Sequence, residues 1–327
     1  MSNVTVSVVL CTYNGAAFVA RQIDTVLAQT RPADEIIIQD DGSTDATMDI
    51  LNDYARRFPV IRVFRNATPL GVNANFYSAM ERSRGDYIAI CDQDDLWETD
   101  KLARQLAAIG DNLLCAGRTV PFSEDGSFVH DDPRRPNISP LRMLYCAEIA
   151  GHTMLFRREL LGLLPMDCAI FSHNYYDMIL SEVAAVYERV VYLNDKLVNQ
   201  RRYRKASTYS SHADSLPTVG NGLRMIAWCL RHYGEVKRRG NDFYLRWLEL
   251  LRRLPAETMS HRLAVRMMEY QTRRGILNFI MFQAFCFRHR RKLFHTVGRD
   301  PQNMLRALLF PLTAVFYQRK LVQTVGR

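Results

Sequence analysis

Three short apolar runs early in the chain, residues 4–11, 35–39 and 88–91, each end abruptly in a polar cluster. The clusters are Thr12-Tyr13-Asn14, Asp40-Asp41 and Asp92-Gln93-Asp94-Asp95. Between these runs lie stretches with helical spacing over residues 16–29, 46–58 and 72–83, and a further short strand over 60–64. Phe18, Ile23, Val26 and Leu27 mark the first helix, and Ser43 or Thr44 is expected to cap the second. Short strands alternating with helices specify a mainly parallel sheet covered on both faces. In such a sheet ligands bind outside the carboxyl ends of the strands, so the polar clusters fall along one edge.

The acids at 92, 94 and 95 repel one another and raise each other's pKa unless a cation sits among them. Hard divalent metals bound through carboxylates and substrate phosphates suit this pattern. The competing reading is an acidic turn that caps a helix starting near Thr99. No glycine-rich phosphate cradle is present. Acids on a sheet edge that still binds an anion imply a metal bridging carboxylate and diphosphate. The expected ligand is therefore a nucleotide-diphosphate compound with a divalent cation. The seven cysteines are scattered and form no Cys-x-x-Cys pair, which argues against zinc or a disulfide framework and for a reducing cytosol. The first residues have neither a basic stretch nor an apolar core, so no signal peptide is expected.

Ser7–Asn14, Gln39–Asp45, Asn66 with Gly71 and Asn75, and Cys91–Trp97 stand in the order and spacing that the chain shares with family 2 glycosyltransferases. The resemblance is dense over residues 4–110, thinner over 110–205, and absent beyond about 210. Asp-Gln-Asp-Asp-Leu-Trp is similar to the rhamnosyltransferase-like branch. The resemblance implies a GT-A fold, a Rossmann-like, mostly parallel sheet flanked by helices. It implies that Thr12 and Tyr13, with Asn14 in the same loop, line the nucleoside pocket. Asp41 would accept the imide N–H of uracil or thymine, with Asp40 orienting the turn and Asp45 capping a helix. Asn75 contacts the nucleotide or lies on the helix surface. Asp92 reaches the ribose or a metal-bound water, Asp94 coordinates Mn2+ or Mg2+, and Asp95 lies behind them or near the sugar. Trp97 is a sugar platform or packing.

Inversion also needs a general base for the acceptor hydroxyl. The branch carries His-Asp-Trp-Trp there, whereas this chain reads Ser172-His173-Asn174-Tyr175-Tyr176-Asp177. An amide accepts no proton at neutral pH, so Asp177, on the same helical face as Asn174, is the expected base. His173 is the alternative, and an impaired, non-catalytic nucleotide-sugar-binding protein is the rival reading. Arg201 matches the branch's arginine, but Tyr203 stands where a histidine is usual. Arg201, Arg202 and Arg204 are forked donors suited to the diphosphate. His152 touches the acceptor or is structural, and the Pro- and Asp-rich segment 121–140 reads as a mobile loop.

Residues 1–200 hold 18 Lys and Arg against 27 Asp and Glu, whereas residues 201–327 hold 25 against 7. A strongly basic second part suggests a polyanionic partner. Helices are expected over 223–233, 242–254, 260–287 and 302–323, with apolar runs at 276–287 and 305–317. Both runs fall short of the about 20 residues needed to span a bilayer. Apolar faces flanked by Arg and Lys suit helices lying on an anionic membrane surface; the alternative is an ordinary helical subdomain. Nucleic acid is not an expected partner, because no known binding module is present.

The expected organisation is a GT-A domain over 1–210, with a nucleotide-binding half over 1–110 and an acceptor half over 111–210, followed by a basic α-helical region over 211–327. The expected activity is metal-dependent, inverting transfer from dTDP-rhamnose or another dTDP- or UDP-sugar. The acceptor is a glycan or lipid-linked saccharide in surface polysaccharide synthesis. A sugar nucleotidyltransferase is the rival chemistry, but its Gly-rich, Lys/Arg-bearing signature is missing. The expected location is cytoplasmic, peripheral on the inner face of the cell membrane.

Overall fold

The computed structural model describes residues 4–126, 129, 131, 133–203, 219–294 and 300–318. Eight strands form one sheet: β1 (Val6–Thr12), β2 (Glu35–Asp40), β3 (Ile61–Arg65), β4 (Tyr87–Cys91), β5 (Leu96–Trp97), β6 (Leu114–Phe122), β7 (Leu155–Arg157) and β8 (Val190–Arg201). Their order is β3-β2-β1-β4-β7-β6-β8-β5. Helices α1 (Val19–Leu27), α2 (Thr47–Arg57), α3 (Val72–Arg82) and α4 (Lys101–Ile109) connect the first strands. Later come α5 (Pro140–Met143), α6 (Glu159–Gly162) and α7 (Tyr176–Val186). Every residue of β1 and β4 is buried, as a strand covered on both faces requires.

The parallel register sets the edge where the polar clusters gather. Thr12 lies level with Asp40, and Leu10 with Cys91, so the segments after β1, β2 and β4 emerge side by side. The sheet is more mixed than the strand–helix alternation implies. β7 runs antiparallel to both β4 and β6, and β5 antiparallel to β8. These two strands are only three and two residues long, and they exist because distant partners supply their hydrogen bonds.

Several local expectations are corrected. Neither Ser43 nor Thr44 caps α2: the Ser43 hydroxyl donates to Asp40, and Asp45 accepts the Thr47 amide instead. The run 260–287 is two helices, α10 (Met259–Thr272) and α11 (Ile276–Arg288), because Gly275 takes φ +104°, which a helix cannot continue through. The segment 121–140 begins as the end of β6 and closes with the start of α5. Trp97 is packing, buried with the Lys101 ammonium 4.0 Å from its ring centre.

The basic region supplies α8 (Val219–Arg239), α9 (Asn241–Arg253), α10, α11, α12 (Arg290–Leu293) and α13 (Asp300–Thr313). Expected residues 319–323 of the last helix lie outside the described residues. The inner faces of these helices are core: Tyr244, Trp247, Phe282, Phe285 and Phe310 join one apolar cluster with Leu141, Ile179 and Val183. Their outer faces are not, since Ile276, Leu277 and Ile280 are exposed. Among the described residues no helix is long and apolar enough to cross a membrane.

Lys101 is fully buried, with its ammonium bonded to Gln105 Oε1 at 2.8 Å and no carboxylate partner among the described residues. Burial pulls its pKa down to about 7. Between that value and the unfolded one the unfolded chain binds more protons, so stability rises with pH across this window. Lys101→Met is expected to stabilise the fold by on the order of 2 kcal/mol at pH 8 and to flatten this dependence. Thermal unfolding from pH 7 to 9 checks both; equal slopes in the two proteins would refute the assignment.

Candidate active site

Asp40 holds the turn after β2. Its carboxylate accepts the Thr12 hydroxyl at 2.9 Å and the amides of Gly42 and Ser43. Asp41 ties down the next loop: Oδ1 accepts Asn66 Nδ2 and the Leu70 amide, and Oδ2 accepts the Gly71 amide at 2.9 Å. Asn75 is buried, not on the helix surface. Its Oδ1 accepts from Asn66, and its Nδ2 donates to the Gln39 carbonyl. Tyr13 is 52% exposed at the mouth of the site. Asn14, at φ +49°, accepts the Thr44 amide on its side chain.

Gln93, which the sequence reading passed over between the acids, clamps Tyr13 through both backbone groups. Its Oε1 accepts the Tyr13 amide at 2.9 Å, and its Nε2 donates to the Tyr13 carbonyl at 3.2 Å. Gly15 leaves room for this clamp, because a Cβ there would meet Gln93 Oε1 at 2.2 Å. Gly15→Ala is therefore expected to cost little stability, since a flexible amide end gives way. It is expected to release Tyr13 and raise the KM for a nucleotide donor about tenfold. Steady-state kinetics beside a melting curve check this.

The acids after β4 meet a histidine from a distant segment. β4 pairs antiparallel with β7, with Ala89 opposite Leu155. Continuing that register by three residues sets Asp92 opposite His152. His152 is buried, with Nδ1 3.4 Å from Asp92 Oδ2 and 3.3 Å from Asp95 Oδ2. Its Nε2 lies 3.2 Å from Thr119 Oγ1, whose own proton goes to the Val198 carbonyl. That network makes Nε2 the donor and leaves Nδ1 facing the two carboxylates. Donor atoms of Asp92, Asp95 and His152 all lie within 4.8 Å of one another.

Asp95 Oδ1 accepts the Arg201 amide at 3.0 Å, but buried Oδ2 has no hydrogen-bond donor. Burial raises the Asp95 pKa strongly. Burial also opposes charge on His152, but Asp95 and Asp92 outweigh it and raise its pKa. An orphaned carboxylate oxygen, a second carboxylate and an imidazole nitrogen are a fitting donor set for a divalent cation. The expected pair was Asp92 and Asp94. Of that pair, Asp94 accepts the Tyr203 hydroxyl on Oδ2 at 2.8 Å. Burial and then Asp92 raise its pKa.

Arg201 reaches the same cluster through β8, since Leu96 pairs with Asn199 and continuing that register sets Asp94 opposite Arg201. Its guanidinium lies between the rings of Phe18 and Phe122, donates to the Asp94 carbonyl and pairs with Glu124. Its buried Nη2 has no partner among the described residues. Arg204 lies outside the described residues.

Asp177 sits in the first turn of α7, where the Met178 amide donates to its carboxylate and Gly151 packs against its side chain. Burial nevertheless pushes its pKa up to about 6. Consecutive residues thus bring the parts together: Gly151 packs against Asp177, and His152 faces Asp92 and Asp95. Asn73, also missed, staples α3 to the start of α7 by donating to the Asn174 carbonyl and accepting the Tyr176 amide. His173 is exposed, with Nδ1 donating to the Ala169 carbonyl at 2.9 Å. Nothing in the local sequence marks Gln93 or Asn73, and nothing there pairs His152 with the acids, because these partners are set by sheet pairing and helix packing.

A curled mixed sheet flanked by helices, with acids at the carboxyl ends of its parallel strands, defines a GT-A fold. Residues 7–163, just under half of the chain, match the family model Glycosyl transferase family 2. Rv1520 of Mycobacterium tuberculosis is 27% identical over 290 residues, covering 79% of this chain and 84% of its own. Bacillus subtilis TuaG, named for teichuronic acid biosynthesis as a glycosyltransferase, is 40% identical over 101 residues, or 31% of this chain and 40% of its own. The crystal structure of Staphylococcus aureus TarS residues 1–349 with UDP-GlcNAc superposes with a TM-score of 0.55 at 14% identity. That match covers 98% of this chain and 91% of that one, a likeness of fold.

Proposed function

We propose that this chain is a metal-dependent, inverting glycosyltransferase of the rhamnosyltransferase-like branch. It moves a sugar from dTDP-rhamnose, or another dTDP- or UDP-sugar, to a glycan or lipid-linked saccharide in surface polysaccharide synthesis. The observation that carries this reading is the convergence of Asp92, Asp95 and His152 beside Asp177, which packs against the Gly151 that precedes His152. The name of TuaG supports a polysaccharide setting, and the TarS complex supports a nucleotide-sugar donor.

Tyr13 offers an exposed ring face to the base. Asp41 Oδ2 accepts one amide and keeps a lone pair for a pyrimidine imide N–H. The unpartnered Nη2 of Arg201 is a donor for the diphosphate. Asp177 takes the proton from the acceptor hydroxyl as that oxygen attacks the anomeric carbon, opposite the departing diphosphate. A divalent cation such as Mn2+ or Mg2+, held by Asp92, Asp95 and His152 beside Asp94, supplies positive charge against the leaving group when bound. The basic helices hold the enzyme at the anionic, cytoplasmic face of the membrane, beside a lipid-linked acceptor.

The test is a donor screen: purified protein, Mn2+, labelled dTDP- and UDP-sugars, and lipid-linked acceptors. Transfer from one donor, abolished by a chelator, is expected. Nucleotide-sugar binding without transfer from any donor would instead establish the non-catalytic reading.

A further inference from the structure

The outer face of α11 presents Ile276, 76% exposed, and Leu277, 69% exposed, with Ile280 and Met281 one turn on. These positions form one stripe along the helix. The stripe continues onto α13, where Leu305 and Leu308 are exposed and Gln283 Nε2 bonds the Leu308 carbonyl at 2.8 Å. A cleft of about 410 Å³ runs along one side of α11, toward α8. Lys237, Arg238, Arg273 and Arg274 line it together with Tyr270 and Phe279. A second cleft, of about 500 Å³, flanks the other side and carries Arg266 and Arg288. No acidic residue lines either one.

Two acids on the flanking helices are already paired. Glu269 pairs with Arg252 and Arg273, and Glu235 with Arg239. Arg238 and Arg274 have no salt bridge among the described residues. Lys237 spends its protons on the Gln271 carbonyl and side chain. Burial and the neighbouring Arg274 pull its pKa down to about 8, the mark of a cation lacking a counter-charge. An aliphatic ridge between two basic clefts is complementary to a surface that is apolar within and anionic at its rim.

We propose that the α8-side cleft seats the phosphate of an anionic lipid headgroup while the α11 ridge enters the acyl boundary beside it. This rests on the reading of the basic helices as a membrane-docking region and adds the site and ligand class. A second copy of the chain is a poor occupant, because a two-fold contact would set this cationic surface against itself. Single-stranded nucleic acid is a poor one as well, since the exposed ridge is aliphatic and offers no stacking platform. α11, about 20 Å long, lies flat in such an arrangement, which matches its short apolar run.

The test is co-sedimentation with vesicles of phosphatidylglycerol or phosphatidylcholine. Compared are the full chain, the pair Arg238→Ala and Arg274→Ala, and the pair Leu277→Ser and Ile280→Ser. All four side chains lie outside the catalytic cluster, and sugar transfer to a soluble acceptor is expected to be unchanged. The full chain is expected to pellet with phosphatidylglycerol only. Loss of two cations is expected to weaken this about 25-fold, at roughly fivefold each, and the serine pair at least tenfold. If the full chain pellets and the arginine pair pellets equally, the cleft is not the headgroup site, although the docking reading stands. If the full chain pellets with neither vesicle, both fall while the glycosyltransferase reading is untouched. Saturable binding of inorganic phosphate by calorimetry, without vesicle binding, would overturn the lipid assignment.

Discussion

Asp177→Asn is expected to lower sugar transfer about 1000-fold while leaving nucleotide affinity within about twofold. The side chain keeps its shape and its acceptor toward the Met178 amide, but loses the lone pair that takes the acceptor's proton. Burial, assisted by Asp92, sets the carboxyl at about pH 6. A base acts only when ionised, so kcat/KM of the native protein should fall about tenfold per unit below that pH. The stability consequence has the opposite sense. A carboxyl whose folded pKa is raised is stabilising only when protonated, and that contribution is lost as pH climbs from the unfolded value to about 6. The amide variant should therefore be at least as stable as the native protein at pH 8, so lost activity is not misfolding. His173→Ala is expected to stay within about threefold of native activity, since the ring is exposed and tied to the Ala169 carbonyl. Full activity in the Asp177 variant would remove this residue from the mechanism.

His152→Ala should weaken Mn2+ binding at least about 100-fold, measured by electron paramagnetic resonance on the protein without substrate. The variant removes one of three converging donors and leaves Asp95 Oδ2 buried with nothing opposite it. Asp95→Asn belongs to the same class. Asp94→Asn is expected to have a smaller effect, because Asp94 Oδ2 already accepts from Tyr203. The comparison separates two ligand sets: Mn2+ binding lost in Asp94→Asn but retained in His152→Ala would restore the Asp92–Asp94 pair. Circular dichroism of each variant guards against a folding defect.

The strands and helices of the first hundred residues were legible because their causes are local. Apolar periodicity and the turn-forming residues after β1, β2 and β4 act over a few positions, so the sheet edge and its acids could be placed directly. The break at Gly275 was overlooked, since a single glycine inside a helical pattern is tolerated and does not by itself announce a stop. Asp177 was legible as the carboxylate one turn beyond Asn174. Its burial was not, because that comes from α7 packing under the Gly151–Thr153 turn.

Residue order alone therefore decided that this is an alternating α/β chain with carboxylates at one rim and a basic helical end. Which side chains share that rim was a matter of pairing across long separations. β7 opposite β4 delivers His152 to Asp92, and β5 opposite β8 delivers Arg201 to Asp94. β7 and β5 are too short to announce themselves, and they form only when the rest of the sheet supplies their partners. Periodicity is a short-range property, whereas antiparallel register is fixed by closure of the fold.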